Sequence, residues 1–290
     1  VTERPVAGAG GEIFSECVWL PHGEVLSRVF VLHGMGASGG EYAPLGEYLA
    51  ERGTEVHALN FRSGARDPLE GRRGHAFDFG LLREDFILWV DAVCAGSPLP
   101  VFLLGESMGA LLAIRFLSEE KLAARFRGAV LLCPVTGLAR PTPVWQKRLL
   151  RWVSVIFPRM ILKPSVFVSG KKEELVLTSD AEYQNYLRTM PHRIPHYTVR
   201  FLAGVDWLME ESHRVAPSVF TPFFLLNGED DVFIRPNQAR EWFEKTGATD
   251  RKQTVYKDCN HLLLHEKSTG RVLEDIGRWI CGKANGRIED

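Results

Sequence analysis

The sequence predicts an α/β fold in which a mostly parallel central sheet is flanked by helices and interrupted by an inserted helical cap. Three observations carry this. Short β-rich apolar runs alternate with longer helical patterns, the rhythm of βαβ units whose sheet is covered on both faces. That rhythm stops near residue 137 and resumes near residue 218. A Gly-x-Ser-x-Gly stretch, Gly105-Glu106-Ser107-Met108-Gly109, stands where one strand hands over to the next helix.

Taken in order, residues 12–20 and 26–32 read as strands joined by a Pro-His-Gly-Glu turn. A strand over 55–61, a helix over 79–95, a strand over 100–104, a helix over 108–119 and a strand over 128–133 follow from their apolar spacing. After the interruption come a strand (222–227), a helix (236–246), a strand (253–257) and a last helix (268–281). Between them, residues 137–217 hold Trp145, Trp152, Trp207, several prolines and an amphipathic pattern over 144–157, without an obvious buried strand. Residues 1–136 and 218–290 therefore read as one discontinuous core, and 137–217 as a helical cap, or lid. The first part of that cap is basic and aromatic (Arg140, Lys147, Arg148, Arg151, Trp152, Arg159, Lys163). Such a face can touch an anionic lipid surface weakly, or can simply be a solvated helix side.

Composition excludes several classes. The 290 residues are 45% hydrophobic and 24% charged, a globular balance unlike collagen, disordered chains or disulfide scaffolds. Lys+Arg total 35 against 36 Asp+Glu, so the electrostatic excess that nucleic-acid binding draws on is missing. Five cysteines, with no C-x-x-C pair, cannot form a complete internal disulfide set and read as packed thiols. No run approaches the ~18 to 20 apolar residues that span a bilayer, and the first residues do not resemble a secretion signal. A cytoplasmic location is the expectation.

The Gly-x-Ser-x-Gly context carries the chemistry. Glycines flank the serine because the strand-to-helix turn is too sharp for side chains there, and the turn lifts the hydroxyl above the sheet edge. The helix N-terminus aims backbone N–H groups at the same point, where negative charge would develop. A serine hydroxyl needs a histidine base and an acid to orient that base. His261 lies in the short loop after the last strand, and Asp230 and Asp231 follow the strand before it, giving the chain order Ser, Asp, His. The glycine-rich turn His33-Gly34-Met35-Gly36 supplies a second oxyanion donor. The two donors are read as the backbone N–H groups of Met35 and Met108. The sequence contains no H-E-x-x-H or comparable ligand cluster, so neither metal nor organic cofactor is expected.

On these marks the chain resembles the α/β-hydrolase superfamily, and within it the monoacylglycerol lipase / lysophospholipase-like group, also called serine aminopeptidase-like hydrolases. The resemblance rests on residues 33–42 (HGMGASGGEY), the elbow at 105–109, Gly228-Glu229-Asp230-Asp231, and residues 261–266 (HLLLHE). It implies an α/β-hydrolase fold with a helical cap. It selects Asp231, third after the glycine, over Asp230, and His261, five residues before a Glu, over His265. It also implies small-molecule substrates that are single-chain acyl esters of glycerol or similar alcohols. One stretch departs: where the family carries an Asp/Pro-x-Gly-His-Gly-x-Ser turn, this chain reads Asn60-Phe61-Arg62-Ser63-Gly64-Ala65-Arg66-Asp67. The same residues admit a thioester, peptide or carbon–carbon hydrolase, or a non-catalytic binding module.

Overall fold

The computed structural model describes residues 1–75, 78–162 and 175–286. Its strands are β1 (Thr2–Ala7), β2 (Ile13–Trp19), β3 (Ser27–Leu32), β4 (Thr54–Asn60), β5 (Val101–Glu106), β6 (Gly128–Leu132), β7 (Ile161–Leu162), β8 (Tyr197–Thr198), β9 (Phe223–Gly228) and β10 (Arg251–Tyr256). Its helices are α1 (Ala43–Ala50), α2 (Phe79–Cys94), α3 (Met108–Leu117), α4 (Glu120–Ala123), α5 (Val144–Ile156), α6 (Ala181–Thr189), α7 (Val199–Val215), α8 (Pro236–Lys245) and α9 (Thr269–Ala284).

Eight strands form one sheet in the order β1-β2-β4-β3-β5-β6-β9-β10. From β4 to β10 every pairing is parallel, and only the β1–β2–β4 end is antiparallel. The two strands joined by the Pro-His-Gly-Glu turn are not neighbours, because β4 lies between them. The runs SRVFVL, VFLLGE, GAVLL and FFLLNG are buried at every position, as the central strands of a doubly covered sheet require. Period-2 alternation divides their side chains between two cores. Phe30, Leu103 and Leu131 pack with Phe86, Trp89 and Phe116, while Val29, Val31, Leu104 and Leu132 pack with Leu45, Ile276 and Trp279.

The segment between β6 and β9 adds to the expectation of helices alone. It holds α5, α6 and α7, but also the two-residue pair β7–β8, in which Tyr197 and Thr198 are buried. Lys147 and Arg151 of α5 do not point freely into solvent. They pair with Asp206 (3.0 and 2.9 Å) and with Glu210 of α7, clamping the two helices together. Lys163 lies outside the described residues. No described helix is long and apolar enough to cross a membrane.

Candidate active site

The elbow is built by steric exclusion. Ser107 bridges the end of β5 and the start of α3 at φ 55° and ψ −115°, a conformation that costs a non-glycine residue about 1–3 kcal/mol. Two hydrogen bonds hold it: its N–H donates to the Leu132 carbonyl (2.9 Å), and its carbonyl accepts from the Leu111 N–H (3.2 Å). A Cβ on Gly105 would stand 2.6 Å from the Gly109 carbonyl oxygen, and one on Gly109 would collide with the Leu32 carbonyl oxygen. Both positions therefore exclude side chains.

Strand ends bring the partners in. His261 lies beyond β10 and Asp231 beyond β9, neighbouring parallel strands whose C-terminal ends open on the same side as that of β5. The His261 Nε2 is 2.8 Å from the Ser107 Oγ, and its Nδ1 is 2.7 Å from the Asp231 Oδ2. The other Asp231 oxygen accepts from the Phe233 N–H (2.8 Å) and the Ile234 N–H (3.3 Å). Asp231 is fully buried and His261 nearly so. Burial disfavours the imidazolium, but the charge and hydrogen bond of Asp231, with the charge of Glu106, outweigh it and raise the His261 pKa above its ordinary value. Of the alternatives, Asp230 is exposed, and His265 stacks on the Tyr183 ring at 3.7 Å with its pKa pushed down to about 4 by burial.

Of the two backbone donors expected from the sequence, Met108 opens α3, so its N–H has no carbonyl one turn back to bond. Met35 sits in a turn beside the elbow: a Cβ on the preceding Gly34 would lie 3.4 Å from the Ser107 Cβ. His33 fixes this turn. Its ring stacks on Phe61 with centroids 3.7 Å apart, and its Nδ1 donates to the Gly34 carbonyl at 2.8 Å. Burial lowers its pKa to about 4, so it is neutral under ordinary conditions.

The stretch that departs from the expected turn is a salt-bridged loop. Arg62 forks onto both Asp85 oxygens (2.8 and 2.9 Å) and Arg72 onto both Asp67 oxygens (2.6 and 2.9 Å), while Glu12 joins the two arginines. Asp67 also accepts from the Ser63 and Leu69 N–H groups. This loop places Phe61 against His33 and Gly64 against the same ring.

Other supports are given no structural role by the sequence reading, which uses Glu266 only as a marker of His261. The Asn260 N–H donates to Glu266 (2.6 Å), and Ser179 from the segment between β6 and β9 bonds the other Glu266 oxygen, so the His261 loop is tied at both ends. Glu106 and Tyr42 lie buried beside Ser107. Cys133, Asp231 and His261 place possible ligand atoms within 4.8 Å of one another. Here the His261 Nδ1 and the Asp231 Oδ2 face each other in a hydrogen bond.

A family model described as Serine aminopeptidase, S33, matches residues 23–268. The chain is 27% identical over 285 residues to a human monoglyceride lipase, covering 95% of this chain and 89% of the relative. It is 25% identical over 284 residues to a monoacylglycerol lipase of Mycolicibacterium smegmatis, covering 96% of each. Among solved structures, a soluble variant of Saccharomyces cerevisiae monoglyceride lipase superposes with a TM-score of 0.84 at 18% identity, covering 97% of this chain and 94% of that one. A Bacillus coagulans carboxyl esterase superposes with a TM-score of 0.82 at 19% identity, each chain covered to 98%. The fold is that of the α/β-hydrolases.

Proposed function

The chain belongs to the serine aminopeptidase S33 family, and on that footing we propose that it is a serine hydrolase of carboxylic esters, acting on lipid-like single-chain acyl esters such as monoacylglycerols. The observation that carries this is the unbroken line of hydrogen bonds from Asp231 through His261 to the Ser107 hydroxyl. With Nδ1 donating to the carboxylate, Nε2 is left to accept the serine proton. Ser107 then attacks the ester carbonyl, the Met35 and Met108 N–H groups hold the oxyanion, and His261 returns the proton to the departing alcohol. Water repeats the sequence on the acyl-enzyme. Asp231 keeps the imidazole in the useful tautomer and stabilises its cation without taking the proton.

Residues 137–217 act, in this reading, as the cap that selects substrate. Its support is contact: Tyr197 meets the oxyanion turn at Gly36, and His192 approaches Ser38 and Glu41. The outer face of α5 supports weak docking on a lipid surface, since Trp145, Leu149, Trp152 and Ile156 follow helical spacing and are all exposed. Lys147 and Arg151 are engaged by α7, which leaves the apolar side chains as the main support for such docking.

A panel of p-nitrophenyl esters from short to long chains, run beside monoacylglycerols, tests the substrate class. Turnover that rises with chain length and includes monoacylglycerols supports it. Hydrolysis confined to acetyl esters, or to amides, overturns it.

A further inference from the structure

Glu106 is a carboxylate in the middle of the elbow with a side chain shut off from water. Its Oε2 accepts the Tyr42 hydroxyl at 2.7 Å, whereas its Oε1 is buried with no hydrogen-bond partner. The same Tyr42 hydroxyl accepts the Gly34 N–H at 3.3 Å. Gly34 is the residue before Met35, and its carbonyl is already held by His33 Nδ1 and the Ala37 N–H. Burial pushes the pKa of this carboxyl above its ordinary value, against the Tyr42 hydrogen bond and the charge of His261, and a buried polar atom without a partner is costly, so the group calls for a role beyond packing.

We propose that Glu106 and Tyr42 form a positioning pair that ties the nucleophile elbow to the oxyanion turn. The proposal rests on the triad reading given above. Through Tyr42, the elbow residue fixes the Gly34 amide, and with it the turn that carries the Met35 N–H. This effect acts on the transition state, not on substrate binding, and so should appear in kcat with little change in KM. The titratable groups around the pair are His261, Asp231, Glu41, Tyr183 and Cys133.

Substitution tests the tie. Tyr42→Phe removes the bridging hydroxyl and should lower kcat by about tenfold or more, with KM within about twofold. Glu106→Gln keeps an acceptor for Tyr42, so its kcat should stay within about threefold of the parent. Glu106→Ala loses the acceptor, and Gln should restore most of the kcat that Ala forfeits. A Tyr42→Phe kcat within twofold of the parent, or a Glu106→Gln kcat no higher than that of Glu106→Ala, overturns the proposal. Thermal midpoints distinguish loss of fold from loss of rate: each kcat is read well below the variant's midpoint, and where Tyr42→Phe melts early the comparison of Glu106→Gln with Glu106→Ala decides. Ser107→Ala runs alongside. If it keeps activity the triad reading itself fails, whereas a dead Ser107→Ala with an unaffected Tyr42→Phe counts against the positioning pair alone.

Discussion

Replacing Asp231 by Asn changes one atom in a fully buried side chain, and the surrounding donors determine which way the amide turns. The Oδ1 position faces two backbone donors, the Phe233 N–H at 2.8 Å and the Ile234 N–H at 3.3 Å. An NH₂ there would set donor against donor, so the amide oxygen takes that place and the NH₂ faces His261 Nδ1, 2.7 Å away in the parent. Nδ1 must then accept, and the ring proton moves to Nε2, where it points at the Ser107 hydroxyl. The base is lost while the geometry survives. A tautomer reversal of this kind costs about 10⁴ in kcat in another serine hydrolase, or roughly 5 kcal/mol of barrier. The variant also loses the charge that lifts the His261 pKa. Steady-state hydrolysis of a p-nitrophenyl ester measures the effect, with Asp230→Asn as the control, because Asp230 is exposed. Asp231→Asn should be crippled but folded, and Asp230→Asn should keep most of its rate. A fall of less than tenfold in Asp231→Asn, or an equal fall in both variants, refutes the reasoning.

Further expectations follow from other parts of the molecule. Catalysis needs neutral His261, and its pKa is raised, so kcat/KM should climb with pH to a midpoint above 6.5; a midpoint below that value would mean another group controls the limb. Stability should respond to pH at a second site, the buried Glu16–His57–Glu55–Arg28 network. The His57 hydrogen bond, opposed by burial and helped by Arg28, lowers the Glu55 pKa from 4.5 to about 2, so its contribution is present above pH 4.5 and lost as pH falls towards 2. His57 runs the other way. Burial opposes its charge but Glu16 and Glu55 prevail, so its contribution is complete below pH 6.5 and declines as pH rises through its raised folded value. Melting curves against pH should show both losses, and His57→Gln should shrink the upper one to the part that the raised His261 pKa contributes; an unchanged upper loss would assign it elsewhere. Replacing Trp145 and Trp152 together by Ala should weaken vesicle flotation at least tenfold while p-nitrophenyl butyrate turnover stays near the parent value; undiminished flotation would remove α5 from lipid contact.

What the sequence makes legible is decided by physics that acts locally. The central strands announce themselves because both faces are buried, leaving continuous apolar runs such as VFLL and AVLL. Ser107 and Asp231 are legible because each follows such a run within a few residues, whereas His261 follows the half-exposed edge strand RKQTVY and is legible by its place just after the last strand. β1 is not, since a sheet-edge strand exposed along most of its length and carrying Pro5 lacks a clear alternation. The helix α1 hides behind Pro44 and Gly46, residues that signal turns; Gly46 is there because Trp19 packs on its Cα. The ion pairs joining Arg62 to Asp85 and Lys147 to Asp206 connect residues far apart in the chain, which no spacing rule reports. The Glu106–Tyr42 contact is hidden for the same reason. Tyr42 ends the glycine-rich stretch and Glu106 lies inside the elbow, but only the fold brings them to 2.7 Å.

The central claim is that Ser107 is an activated nucleophile. Treating the intact protein with a fluorophosphonate probe and mapping the adduct by mass spectrometry tests it most directly. The account predicts rapid labelling at one site, Ser107, abolished in Ser107→Ala and slowed at least a hundredfold in Asp231→Asn. A protein that folds and is not labelled, or is labelled at a different serine, would contradict it.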